Sequence, residues 1–325
     1  MTQPSETFDA YDAKGVREDL QDKIYMVSPE ATPVLSAGRR FKATQKAHEW
    51  QMDTLATPNK DNAVIEGDER TGTAIVSTTR IGNYTQLFDK VAVVSSTLEK
   101  SQKAGRTSEM KYQVAKRFKE LKRDLEAALI SKNVAVAGDG STARKASGLG
   151  AMIRTTALHN GAGATPVASN GFYTTALTAG TNRTFQETLL KTAMQSIYTN
   201  SGEMPTMVSM TPAHKSLFSA FTGIASSRMN MDVKRGKQAV ILGGADVYLS
   251  DFGELTIVPN YVQATSATDV DYILNPETYG VAYLQDFQSS PLAKTGHTEK
   301  ELVLVEATVV VTAESAYGKI DNLTP

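Results

Sequence analysis

The chain has 325 residues, 41% of them hydrophobic, enough to bury the core of one large or two smaller domains and to exclude a wholly disordered protein. Lys and Arg (34) nearly balance Asp and Glu (35), so no global basic field marks a nucleic-acid binder. The cysteine count is zero, which excludes a disulfide framework, a thiolate metal cluster and a cysteine nucleophile.

Residues 1–56 hold scattered prolines and glycines and only single apolar residues, too few to form a core. The anchors Ile24, Tyr25, Leu35 and Trp50, the only tryptophan, favour an ordered arm packed on another surface over a disordered tail. The polar start Met1-Thr2-Gln3-Pro4 gives no signal peptide. Residues 57–95 turn to strand composition. Val64-Ile65, Ala74 to Ile81, Tyr84 to Phe88 and Val91 to Ser95 are separated by Gly and Asn, predicting long hairpin strands. Their alternation is weak and polar, so the hairpin requires a neighbour's surface.

The next stretch, from Arg106 to about residue 137, predicts one long helix. Met110, Val114, Phe118, Leu121, Leu125 and Leu129 recur at steps of four or three and share a face. Lys116–Glu120 and Lys122–Glu126 sit at i,i+4 on the solvated side. Ser108 or Thr107 caps the start, Glu99 or Glu109 favours the dipole, and Gly138-Asp139-Gly140 stops the helix. Such a helix would span on the order of 45 Å and must lie across a sheet or another subunit to bury its stripe.

Residues 138–183, rich in Gly, Ala, Ser and Thr, read as a long surface loop with short strands. A helix over Thr184 to Tyr198 ends at Gly202, a short strand covers Pro205 to Met210, and Thr211-Pro212 open a helix carrying Leu217, Phe218, Phe221 and Ile224. Further strands are predicted at 239–242, 246–249, 255–259, 271–274 and 279–284. The last long strand, about 299–313, is apolar on both faces and should be covered on both. Its apolar run is too short for a membrane span and contains Glu306, so no membrane is expected.

This order of parts, with Ser36-Ala37-Gly38-Arg39-Arg40, His48-Glu49-Trp50-Gln51, Gly82-Asn83-Tyr84-Thr85-Gln86, Val93-Val94-Ser95 and Gly105-Arg106 through Asp124-Leu125-Glu126, resembles the major capsid proteins of tailed phages. The resemblance covers nearly the whole chain and implies an α+β fold of the Hong Kong 97 type. It would make residues 1–56 an N-terminal arm, 57–95 an extended E-loop, 96–145 with 284–325 the peripheral (P) domain, and 146–283 the axial (A) domain. It also implies a virion capsid assembled in the bacterial cytoplasm from hexamers and pentamers of the chain itself. The partners it implies are a separate scaffolding protein, a portal, decoration proteins and packaged double-stranded DNA held without sequence specificity.

No catalytic, cofactor or metal site is expected. The four histidines, His48, His159, His214 and His297, form no i,i+4 pair and read as surface or loop residues. Gly138-Asp139-Gly140 and Gly148-Leu149-Gly150 complete no phosphate-loop pattern and read as turns. Arg39, Arg40, Lys42 and Lys46 form a small basic cluster suited to DNA or a neighbouring subunit. Lys60, Lys90, Asn62 and Asn83 have the residue types of isopeptide cross-links, but no carboxylate catalyst is identifiable. The candidate intersubunit contacts are Ile24, Tyr25, Leu35, Arg39, Arg40, Trp50, Ile75, Tyr84, Leu87 and Phe88. The alternatives are an encapsulin-like shell around protein cargo and a cytoplasmic α/β enzyme with a pocket near residues 138–165.

Overall fold

A computed structural model describes residues 28–67, 69, 72, 75–221 and 246–324. Ile24 and Tyr25, the 239–242 strand and Ile224 lie outside them. Among the described residues no helix is long and apolar enough to cross a membrane.

Two sheets organise the chain. The first has four strands in the order β1-β12-β13-β4: β1 (Arg39–Lys42), β12 (Tyr279–Pro291), β13 (Thr298–Val311) and β4 (Gln86–Ser95). β1 runs parallel to β12, and the other pairings are antiparallel. Helix α3 (Glu109–Leu129) lies across one face, where its Leu125 and Leu129 join Val305 and Phe88 in one core. Phe118 meets Phe287 of β12 at 6.5 Å between ring centroids.

The second sheet has six strands in the order β5-β14-β11-β8-β10-β9: β5 (Ala157–Leu158), β14 (Gly318–Asp321), β11 (Val270–Leu274), β8 (Met207–Met210), β10 (Gly253–Pro259) and β9 (Val247–Ser250). Side chains alternate along a strand, so Met207, Tyr272 and Leu274 enter the core shared with α3. Val208, Met210 and Ile273 enter a second core under α5 (Glu187–Ser201) and α6 (Pro212–Ser219). Thr211 caps α6 with Pro212 in its first turn, and Gly202 ends α5 in the left-handed region (φ 70°), both as the sequence predicts.

α3 is shorter than the predicted 106–137, about 30 Å for its 21 residues. At its start the Ser108 hydroxyl accepts the Lys111 amide, and the Glu99 carboxylate accepts the amides of Glu109 and Met110. A hydrogen bond from the Ser108 side chain, and then these two amides, hold the Glu99 carboxyl below its ordinary range. At its end the Ser131 hydroxyl donates to the Ala128 carbonyl. The chain of Gly148 presses on that last turn, where an added Cβ would lie 2.3 Å from the Ser131 carbonyl oxygen. Ile130 and Ala135 are still buried, so the apolar pattern runs on after the helix has stopped.

The predicted 57–95 hairpin is also corrected. β3 (Thr79–Tyr84) pairs with β2 (Ala47–Met52), a segment that the sequence places in the arm. β4 pairs only with β13 among the described strands. The described residues of 53–78 form no strand, so Val64, Ile65 and Ile75 sit on an irregular loop. The final strand matches its predicted position, but its cover is uneven: Val303, Val305 and everything from Glu306 to Val311 are buried, whereas Leu302 and Leu304 are half-exposed.

Candidate subunit-contact surface

The loop 53–78 leaves the body through a rigid root. Asn83, fully buried, donates to the carbonyls of Ser147 and Val309 (both 3.0 Å) and accepts the Tyr84 and Ser147 amides (2.9 and 2.8 Å). With both amide atoms committed, it ties β3 to the lead-in of α4 (Leu149–Met152) and to β13. Next to it, the Thr85 hydroxyl donates to the buried Glu306 carboxylate at 2.6 Å, and Arg144 bridges Glu306 and the Thr85 carbonyl. On the other flank a hairpin of β6 (Ala168–Ser169) and β7 (Phe172–Tyr173) braces β3. There Phe172 stacks on Tyr84 at 4.4 Å. Gly171 (φ 86°) lets the two backbones meet, since a Cβ would lie 2.5 Å from the Arg80 carbonyl oxygen.

Beyond the root the loop is wet and apolar together: Leu55 is 99% exposed, Ile75 97% and Val76 85%. A second apolar area lies on the sheet face opposite α3. Cross-strand pairing places Val91 beside Leu302 and Val93 beside Lys300; Leu87, Val91 and Val93 are all exposed. Burying one such side chain is worth roughly 1.5–3 kcal/mol, so several together supply the driving force for association.

The candidate residues fall into distinct groups. Ile75 and Leu87 are exposed apolar side chains. Leu35, Trp50 and Phe88 are half-buried against the chain's own cores, and Tyr84 is stacked on Phe172, so each has a partner within the molecule. Arg40 is paired with Asp286 at 2.8 Å and lies over the Tyr283 ring at 4.4 Å, whereas Arg39 is exposed on the edge strand β1. Leu55, Val76, Val91 and Val93 are not among the candidates; at Leu55 and Val76 the one signal is an apolar residue in a stretch too polar to be a core.

Glu126 also departs from expectation. Its carboxylate is fully buried and accepts the amides of Val34 (3.0 Å) and Leu35 (2.6 Å) and the Asn260 side chain (2.7 Å). It thereby caps the short helix α1 (Pro33–Ala37) and ties the arm to α3 and to the segment after β10. Burial raises its carboxyl above the ordinary range, against those three bonds. The expected Lys122–Glu126 pair therefore does not form. Glu120 meets Arg117 and Lys90, and Asp124 meets Lys90, instead of the expected Lys116–Glu120 pair.

Candidate chemistry is sparse. A cleft of about 540 Å³ beside residues 137–144 carries Lys46, Asp89, Asp139 and Arg144. Arg144 is committed to Glu306, and Asp139 accepts three bonds within its own turn, which hold its carboxyl down at about 2. Gly138-Asp139-Gly140 is thus a turn. Among the described residues no cluster of three His, Asp or Glu side chains could hold a metal ion. Of the cross-linking residue types, Asn83 is saturated and Lys90 is paired, while Lys60 and Asn62 are exposed.

A family model described as the SU10 major capsid protein matches residues 3–324. The chain belongs to that family. It is a family of structural capsid proteins and not of enzymes, and the α/β-enzyme alternative is not favoured. A major capsid protein of Escherichia phage Phieco32 is 36% identical over 124 residues, which span 38% of this chain and 35% of that protein. A solved capsid of the cyanophage P-SCSP1u superposes with a TM-score of 0.61 at 12% identity, covering 99% of both chains. A solved chain of Gordonia phage Cozz gives 0.60 at 10% identity, over 99% of this chain and 97% of that one. The capsid of a native GTA particle gives 0.59 at 14% identity, over 97% and 98%. These likenesses establish the α+β capsid fold of the Hong Kong 97 type.

Proposed function

We propose that this chain is the shell subunit of a tailed double-stranded DNA phage head and that it builds pentamers and hexamers by contacts with copies of itself. In this reading the loop 53–78 is the E-loop, α3 and the four-stranded sheet form the P-domain, and the six-stranded sheet forms the A-domain. The observation that carries it is a rigidly rooted loop with apolar side chains that its own chain leaves in water. An adjacent copy supplies the missing cover, and heterologous contacts close into rings when the rotation closes. Many modest contacts per subunit then add to a stable shell. DNA inside needs no basic wall, because counterions neutralise its phosphates. A scaffolding protein, a portal and decoration proteins complete the assembly.

Replacing residues 54–77 by a short Gly-Ser linker tests this. The β2–β3 pairing and both cores remain, so the variant should be folded by circular dichroism but fail to form closed particles in negative-stain images. Normal shells from that variant would overturn the reading.

A further inference from the structure

His214 contradicts the expectation of a surface histidine. It sits in α6 with no exposure, and so does its partner Asp271 on β11. Both ring nitrogens are in use: Nδ1 lies 2.8 Å from Asp271 Oδ1 and Nε2 lies 3.0 Å from the Thr324 carbonyl oxygen. A carbonyl can only accept, which assigns a hydrogen to Nε2. The 2.8 Å contact at Nδ1 needs a second proton, since a ring lone pair facing a carboxylate repels it. That proton rests on Nδ1 or on Oδ1, and in either form the pair has no net charge.

We propose that His214 and Asp271 form a proton-loaded clasp that holds residues 322–324 against the six-stranded sheet and releases them when the shared proton leaves. The clasped segment is also held by backbone bonds (Arg183 to Asn322, Thr324 to Arg183 and Leu323 to Asp269), by the Asn322 side chain, which accepts the Asn160 amide, and by Leu323, buried in the second core, so release is a local opening measured against those anchors. The other charges nearby are engaged elsewhere. Asp269 is paired with Lys132 at 2.6 Å, and Asp321 faces Lys132 and Lys319. Lys215 turns to Asp246, and the Arg183 guanidinium donates to the Leu158 carbonyl. On the remaining sides Thr211 caps α6 at the His214 amide and the Phe185 ring covers the imidazole. Loss of the proton therefore leaves an uncompensated charge in a fully buried site, which is strongly unfavourable.

Burial raises Asp271; on His214 burial pulls the other way, but the bond and charge of Asp271, the Thr324 carbonyl and the Asp269 charge together raise it, so both hold protons more tightly here than in the open chain. The clasp's contribution is complete below the ordinary histidine value of about 6.5 and is lost as pH rises through the higher value of the closed pair. In between, opening should increase by about tenfold per pH unit, the limit for one proton.

Hydrogen exchange of the Leu323 and Thr324 amides in the full chain, referenced to α3 amides from about pH 6 to about pH 10, tests this. Wild type should lose relative protection as pH rises. Asp271→Asn should be flat, because its amide donates to the neutral imidazole without a titrating proton. A flat wild type, or a slope kept in the variant, would overturn the clasp. Should the variant not fold, ¹⁵N shifts of the His214 ring in the wild type decide: a shared Nδ1 proton persisting above the ordinary range supports the clasp, and a free-histidine titration overturns it.

Discussion

The two sheets of this protein are finished to different degrees. The six-stranded sheet divides its side chains between two cores, with Ile273 on one side and Tyr272 and Leu274 on the other, and all three are fully buried. The four-stranded sheet has α3 on one face; the other is covered near Ala282 and Val310 by Ala43 and Trp50 but leaves Leu87, Val91 and Val93 exposed. A sheet covered on both faces by its own chain can fold alone, whereas a sheet with an apolar open face is a surface awaiting a second molecule. The contrast separates folding from assembly within one polypeptide.

The strongest way to break the contrast is to damage the finished sheet. Ile273→Ala removes buried methyl groups from a closed core and should cost about 2–5 kcal/mol, read as a lower denaturation midpoint of the unassembled chain. Glu126→Ala should come next. It strands the Val34, Leu35 and Asn260 donors in a buried site, at about 1–3 kcal/mol for an unsatisfied group. Faster proteolysis within residues 28–42 would register the freed arm. The smallest effect on folding should come from Val93→Lys on the open face, within about 0.5 kcal/mol. That same change should block particle formation in sedimentation. If Val93→Lys assembles normally, the open face is not a contact, and the difference between the sheets is only one of cover.

Much of this was legible in the sequence where periodicity was strong. α3 kept its predicted face because Leu121, Leu125 and Leu129 repeat at helical spacing. Its end was not legible, because Ile130 and Ala135 stay buried in a turn that a serine hydroxyl and a glycine backbone create. β2 escaped notice because Ala-His-Glu-Trp-Gln-Met has neither a strand's composition nor a full apolar face, and it is β3 that makes it a strand. The open face was hidden for the opposite reason: Val91, Ala92, Val93 and Val94 are all apolar, so no alternation told which side was covered. Glu126 and His214 misled for a common reason. Their partners lie far along the chain, and no local pattern announces a buried carboxylate held by the amides of Val34 and Leu35.

The anchored base at Asn83 and Thr85 also makes chain length a free variable. Because Met52 and Thr79 end on paired strands, inserting residues between them shifts neither register nor core. Doubling such a segment costs only about 0.6 kcal/mol of closure entropy. Guest peptides spliced there should therefore be displayed on a subunit that still folds, with particle geometry left to report how much extra reach the neighbours tolerate.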